Sequence, residues 1–403
     1  MDLRYEPRET DVICTFYVES EDISIREAAG GVAAESSTGT WTELTTVKPY
    51  VDRLAAHVFS IEGNTAKIAY PAELFEPENM PNILSSVAGN VFGLRALKNL
   101  RLNDINLSDQ LIKSFKGPKY GISGIRKLLK VHDRPLVGTI IKPKLGLKTA
   151  DHAKVAFEAW AGGCDIVKDD ENLSNQAFNP FEQRLTATLE SRDRAERETG
   201  EKKVYMINIT AETSEMLRRA QSALNHGGEY MMVDVLTCGF SALQTLRNQD
   251  FDLVIHAHRA GHAAFTKNPK HGISMQVIAK ILRTIGVDQL HVGTVVGKMF
   301  ETKPEVAESC EALKMKMDGL KPVLPVASGG LHPRLVPELI RFFGNDFVIQ
   351  AGGGIHGHRD GTMAGAKAMR QAVDAALKDV PLNDYAKKHK ELKAALETWP
   401  DIA

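Results

Sequence analysis

The sequence predicts an α/β chain, a (β/α)8 TIM barrel preceded by a small α+β N-terminal domain, and three observations carry that expectation. From residue 137 onward, short β-rich apolar runs alternate with longer stretches of helical periodicity. Eight such runs fall within roughly 240 residues, which matches a barrel in number and size. The residues before about 115 follow a different pattern.

In that first part DVICTFYV, RLAAHVFSIEG and TAKIAYP read as strands, and the segments near 23–34 and 79–88 as helices, giving an α+β domain over 1–115. Residues 110–136, including SFKGPKYGI, form the connection. The barrel domain, 137–403 with its C-terminal helices, then runs through VGTII (137–141), CDIV (164–167), KVYMINI (203–209), EYMMVDV (229–235), LVIHAH (253–258), QLHVGT (289–294), VLPVAS (323–328) and FVIQA (347–351). Helical periodicity marks 149–161, 180–199, 212–226, 273–285, 304–317, 332–343 and 361–378, and YAKKHKELKAALETW suggests a terminal helix. A doubly wound open sheet usually carries a Gly-rich dinucleotide turn after its first strand, and KPKLGLK is not one.

At 403 residues, with 43% apolar and 25% charged residues, the chain has an ordinary globular composition. Its net charge of -1 supplies no global field for nucleic acid or an anionic membrane. The N-terminus MDLRYEPRETD interleaves both charge signs, and no apolar run approaches the roughly 18 residues of a spanning helix, so a cytoplasmic protein is expected. Cys14, Cys164, Cys238 and Cys310 lie far apart without a C-x-x-C pair and are expected to be buried free thiols.

Barrel chemistry sits in the loops after the carboxyl ends of the strands. Those positions hold Lys142, Pro143 and Lys144 after the first strand, and Lys168, Asp169, Asp170 and Glu171 after the second. The fifth carries His256, His258 and Arg259, and the sixth carries His291 and leads into GTVVGK with Lys298. The seventh ends in Ser328, Gly329 and Gly330, the eighth in Gly352, Gly353 and Gly354. Taken singly these are weak signals: an acidic run is usually a solvated loop, and the His256–His258 spacing suits a metal pair or satisfied core histidines alike. Together they make a cationic mouth with exposed backbone N–H groups, suited to a substrate with two phosphates. Lys168, Asp170 and Glu171 offer hard oxygen ligands for Mg2+: a free ammonium does not suit that place, but a lysine forced toward its neutral form by neighbouring cations or burial can be carbamylated by CO2 into an anionic ligand.

KDDEN, IIKPKLGL, HAHRAGH and GTVVGK, together with AAESSTGTWTE (33–43) and AGNVFGLRALKNLRL (88–102), resemble the ribulose-1,5-bisphosphate carboxylase/oxygenase (RuBisCO) family, most closely its archaeal form III. The likeness runs from about residue 10 to about 375. It implies that Lys168 is the N6-carboxylysine that binds Mg2+ with Asp170 and Glu171, while Asp169 stays off the metal. It further implies that Lys142 is the acid/base near the reacting carbons, helped by Lys144, that His258 handles a proton over the substrate, and that Lys298 closes over the site. Phosphate binding falls to Thr40, Trp41, Gly329, Gly330, Gly352 and Gly353, with Arg259 and His291 alongside, and Ser328 meets a substrate hydroxyl. Glu35 and Asn90 reach a neighbouring subunit's site, so a homodimer, or an assembly of dimers, is implied, without a small subunit.

The resemblance implies a carboxylase, with an oxygenase side activity. It adds CO2 to the Mg2+-bound enediolate of ribulose 1,5-bisphosphate to give two 3-phosphoglycerates, in salvage of nucleotide ribose. O2 is the competing gas. The loop after Lys298 reads Lys-Met-Phe-Glu-Thr-Lys where carboxylases commonly have Lys-Leu-Glu-Gly-Glu, a departure that bears on CO2/O2 preference. The rivals are a RuBisCO-like enolase of form IV, which usually replaces several of these substrate-contacting residues, and a non-catalytic sugar-phosphate binder, which needs neither Lys298 nor the Lys168 ligand set.

Overall fold

The computed structural model describes residues 2–39, 45–297 and 300–399 and resolves the chain into two units. One comprises Met1–Gly117, Gly261–Gly286 and Glu311–Lys321, the other Pro118–Ala260, Val287–Cys310 and Pro322–Ala403.

In the first unit, β1 (Val12–Glu19) alternates buried and half-buried positions, sending Val12, Cys14, Phe16 and Val18 inward. It lies antiparallel between β3 (Thr65–Tyr70) and β4 (Asn99–Asn106), with β2 (His57–Glu62) beyond β3. The helix Ile25–Glu35 starts in a reciprocal capping box between Ser24 and Glu27 and buries a face of small residues, Ala28, Ala29, Val32 and Ala33. The strand β4 was not expected from the sequence. Its Arg101 is buried, and its guanidinium donates to the carbonyls of Thr266 and Asn268, partners more than 160 residues away that no local pattern announces.

The second unit is the barrel. Its strands are β5 (Leu136–Ile140), β6 (Ile166–Lys168), β7 (Val204–Asn208), β8 (Tyr230–Asp234) and β9 (Val254–His258); then, after a two-residue strand β10 (Gly272–Ile273) that joins the first unit's sheet beside β4, come β11 (Gln289–Gly293), β12 (Leu324–Ser328) and β13 (Val348–Ala351). Eight of them close in the order β11-β12-β13-β5-β6-β7-β8-β9, all parallel, as expected. Because helices cover the outside and side chains fill the inside, the strands are buried on both faces, which is why they read as continuous apolar runs.

The interior is packed by Leu136, Ile166, Val204, Met206, Tyr230, Met232, Val254, Leu324, Val326 and Val348, with Ile125 and Leu129 of the helix Gly121–Leu129 joining the same cluster. A short helix, Phe240–Asn248, follows β8 and was not among the segments read from the sequence. The terminal segment forms two helices, Leu382–Ala386 and Lys390–Thr398, rather than one. All four cysteines are free thiols, but only Cys14 and Cys164 are buried; Cys238 and Cys310 are partly exposed. No helix among the described residues is long and apolar enough to cross a membrane.

Candidate active site

Lys168 is the last residue of β6, so the strand places its side chain at the carboxyl end of the barrel, where it is fully buried. Its Nζ donates to the Asp169 carbonyl at 2.7 Å and lies 3.5 Å from Glu171 Oε2. Burial pushes the Lys168 ammonium below its ordinary value, against the upward pull of Glu171, Asp170 and Asp169. Burial raises Glu171 in turn, but Lys168 and then His258 outweigh it and bring that carboxyl down to about 2. Asp170 Oδ2 accepts from Lys142 Nζ at 2.7 Å, and its Oδ1 accepts the Asn172 N–H at 3.1 Å. Lys144 stands further out, 3.4 Å from Asn172 Oδ1.

Asp169 turns away from this group. Its carboxylate accepts from the Tyr205 hydroxyl at 2.6 Å, the Asn208 N–H at 3.0 Å and Arg184 Nε at 3.1 Å, and His152 Nε2 lies 3.1 Å away. Although burial raises it, the Arg184 charge and these donors hold Asp169 well below the carboxylate range. A carboxylate with its lone pairs so occupied serves to anchor the loop that carries Lys168, Asp170 and Glu171.

Opposite, His258 ends β9 with Nδ1 3.3 Å from Asp234 Oδ1 and Nε2 3.6 Å from Glu171 Oε2. Asp234, at the end of β8, also accepts the Ala260 N–H at 2.8 Å and so fixes the ring's orientation. His256, one pleat below, is a satisfied core histidine. Its Nδ1 meets Gln289 Oε1 at 2.9 Å, its Nε2 meets His291 Nε2 at 2.9 Å, and His291 Nδ1 meets Ser328 Oγ at 2.7 Å. Burial brings His256 down to about 3 and pushes His291 well below its ordinary value, so both rings are neutral at neutral pH.

The glycine turns close the mouth. Gly329 and Gly330 both have positive φ, 119° and 73°, which Cβ-bearing residues rarely adopt. A Cβ on Gly297 would lie 2.4 Å from the Gly329 carbonyl oxygen, so the loops after β11 and β12 touch. One on Gly352 would lie 3.1 Å from Lys142 Cε, so the loops after β13 and β5 meet as well. Gly353 follows as the first residue of the short turn Gly353–His356. Arg259, 4% exposed, pairs through Nη2 with Glu301 Oε1 at 2.5 Å.

Of the residues singled out in the sequence, Lys142, Lys144, Lys168, Asp170, Glu171, His258, Arg259, His291, Ser328, Gly329, Gly330, Gly352 and Gly353 all belong to the barrel unit, His291 midway along β11 and the others at or beyond the carboxyl ends of the strands. Glu35, the last residue of the helix Ile25–Glu35, and the exposed Asn90 belong to the other unit. Thr40, Trp41 and Lys298 lie outside the described residues. Sequence reasoning passed over Asp234, Gln289 and Glu301. A carboxylate ending the fourth barrel strand was a readable signal for Asp234; the partners of the other two lie 33 and 42 residues away.

No three His, Cys, Asp or Glu side chains gather into a metal cage among the described residues. Asp170 and Glu171 beside a lysine that burial drives toward neutrality make a donor set one anion short of the hard-oxygen ligands Mg2+ prefers.

Two family models match the chain: the ribulose bisphosphate carboxylase large chain catalytic domain over residues 121–399 and its N-terminal domain over residues 1–111. The ribulose bisphosphate carboxylase of Methanocaldococcus jannaschii is 49% identical, with 99% of each chain covered. That of Pyrococcus abyssi is 50% identical over 99% of this chain and 96% of its own. Among solved structures, the sulfate complex of the octameric enzyme from Pyrococcus horikoshii superposes with a TM-score of 0.96 at 50% identity, covering 98% of this chain and 95% of that one. The dimeric archaeal enzyme from Hyperthermus butylicus gives a TM-score of 0.92 at 43% identity, covering 99% and 98%.

Proposed function

The chain belongs to the ribulose bisphosphate carboxylase large-chain family, and from that premise we propose that its barrel mouth adds CO2 to ribulose 1,5-bisphosphate, adds water at C3 and cleaves the hydrated adduct into two molecules of 3-phosphoglycerate. It is an enzyme, a carboxy-lyase. The observation that carries the reading is Lys168: a fully buried amine, lowered toward neutrality, set 3.5 Å from Glu171. A neutral amine is the form that attacks CO2. The attack releases one N–H proton to water, and the carbamate so formed supplies the missing oxygen anion; with Asp170 and Glu171 it would hold Mg2+.

When bound, the ion supplies Lewis-acid polarisation of the substrate ketone and stabilises the charge of the enediolate. The chain's own residues do the rest. His258, oriented by Asp234, handles a proton at a substrate hydroxyl from Nε2. Lys142, whose ammonium is parked on Asp170 at 2.7 Å, protonates the carbanion left when the C2–C3 bond breaks. Arg259, His291 and the turns at Gly329–Gly330 and Gly352–Gly353 bind the phosphates, with Thr40 and Trp41 from the N-terminal part, and Ser328 takes a substrate hydroxyl. Lys298 pairs with the new carboxylate, and Glu35 and Asn90 serve a neighbouring chain's site, which makes a homodimer the smallest competent unit. The octameric and dimeric relatives support that assembly.

O2 attacks the same enediolate, so an oxygenase side activity accompanies carboxylation. The likeness to archaeal relatives supports a cytoplasmic enzyme serving salvage of nucleotide ribose. The test is fixation of labelled CO2 after preincubation with CO2 and Mg2+. Acid-stable label that appears only with ribulose 1,5-bisphosphate is expected, and its absence from folded, metal-loaded protein overturns the reading.

A further inference from the structure

We infer that Glu301 is a built-in competitor of the substrate, its carboxylate standing on Arg259 in the place of a substrate phosphate and so setting the affinity of that phosphate site. The inference rests on the reading of Arg259 as a phosphate ligand. Arg259 follows directly on His258 and is 4% exposed; its side chain and that of Glu301 are 5% and 4% exposed, with Nη2 and Oε1 2.5 Å apart. A guanidinium at that depth is strongly disfavoured without an anion beside it. Burial indeed lowers Arg259 from its ordinary value while Glu301 raises it again.

The surroundings are shaped for this pair. Gly293, with φ of 90°, ends β11 at the point where a Cβ would stand 3.0 Å from Arg259 Nη2 and 3.1 Å from Glu301 Cδ. A Cβ there would press on both partners and make one or the other give by a few tenths of an ångström. Beyond Glu301 the chain is pinned by a reciprocal cap: the Thr302 N–H and hydroxyl both donate to Glu305 Oε2 at 2.9 Å, and the Glu305 N–H lies 3.4 Å from Thr302 Oγ1, at the start of the helix Lys303–Lys314. Glu301 is therefore presented to Arg259 from a fixed base. It also falls in the stretch Lys-Met-Phe-Glu-Thr-Lys, where this chain departs from the pattern common among carboxylases.

Carboxylate and phosphate both accept charge-assisted hydrogen bonds from a guanidinium, and a phosphate taking the Nη2 edge must expel Glu301. The arriving dianion leaves Arg259 neutralised as before, so the exchange creates no unpaired buried charge at the arginine. What it changes is apparent affinity, which falls by the fraction of molecules whose Arg259 is open to phosphate.

The test is calorimetric titration of the full chain, without Mg2+ or added CO2, with inorganic phosphate and separately with ribulose 1,5-bisphosphate. Glu301→Gln, and Glu301→Ala in case the new amide itself bonds Arg259, are expected to bind both ligands about tenfold more tightly than the parent. That gain should vanish in an Arg259→Lys background, whose own affinity should fall. Unchanged or weaker binding by both Glu301 variants, with Arg259→Lys still weakened, overturns the competitor role and leaves Arg259 as a phosphate ligand. Parental binding by folded Arg259→Lys overturns the phosphate reading and the inference together.

Discussion

At the amino ends of the barrel strands Asp165 accepts two hydrogen bonds from Arg134, each 2.7 Å, and the Val137 N–H at 2.8 Å, while Asp288 accepts the N–H groups of Tyr120, Gly121 and Ile255. At the carboxyl ends Lys168 is as deeply buried as Asp165, yet its nearest carboxylate oxygen is 3.5 Å away. Charge is buried at both ends, but of the three carboxylates that follow Lys168 only Asp169, the anchor, is matched by donors that nothing needs to displace, as both carboxylates of the amino end are. Full matching makes a buried charge a rivet. At the carboxyl ends Lys142 lies on Asp170, Glu301 on Arg259 and Lys168 near Glu171, contacts that in the proposed reaction CO2, a metal ion or a phosphate would replace.

The sharpest way to break this comparison is Lys168→Ala. Carboxylation should fall to background in the labelled-CO2 assay, while the urea midpoint stays level or rises, because a buried amine is removed from a site that does not fully pair it. A large loss of stability would place Lys168 with the rivets. Arg134→Met is the converse test. Leaving Asp165 with Arg370 Nη1 at 3.6 Å as its cationic partner should cost up to about 3–5 kcal/mol in chemical denaturation while the KM for ribulose bisphosphate of the folded fraction stays unchanged. In the parent, burial raises Asp165 but Arg134 outweighs it, so the folded carboxyl is lowered. Its contribution is present above the unfolded value near 3.9 and is lost as pH falls through the lower folded value. Arg134→Met should accordingly flatten the acid limb of the stability profile below about pH 4.

How much of this contrast was legible follows from where each partner sits in the chain. The barrel strands were readable because a parallel strand buried on both faces is a continuous apolar run. β4 was not, because five of the eight residues of NLRLNDIN are polar and its Arg101 donates to distant carbonyls. Lys168, Asp170 and Glu171 were readable because they are neighbours in sequence. Asp234, Gln289 and Glu301 are single polar residues whose meaning comes from a side chain far away in sequence, and periodicity carries no trace of that.

Smaller effects probe the histidines and the anchor. His256 is lowered from 6.5 to about 3, so the unfolded chain binds the extra proton between those values and stability rises with pH there. Acidification from pH 7 to 5 should cost about 2 kcal/mol through this ring, and His256→Gln should remove that part of the slope in urea titrations at the two pH values. Tyr205→Phe deletes one donor to Asp169 and should cost about 1 kcal/mol. It should also raise the Mg2+ concentration needed for half-activation, leaving kcat at saturating Mg2+ and CO2 little changed. A fall in kcat without a shift in the Mg2+ requirement would argue against Asp169 as an anchor.

Whether CO2 on Lys168 turns a poorly matched buried amine into the missing ligand anion is tested most directly by trapping the carbamate chemically after incubation with 13CO2 and Mg2+ and mapping it by peptide mass spectrometry. One trapped carbamate per chain on Lys168, dependent on Mg2+ and gained in step with activity, is the expected result; full activity with no label on Lys168, or label spread over other lysines, contradicts it.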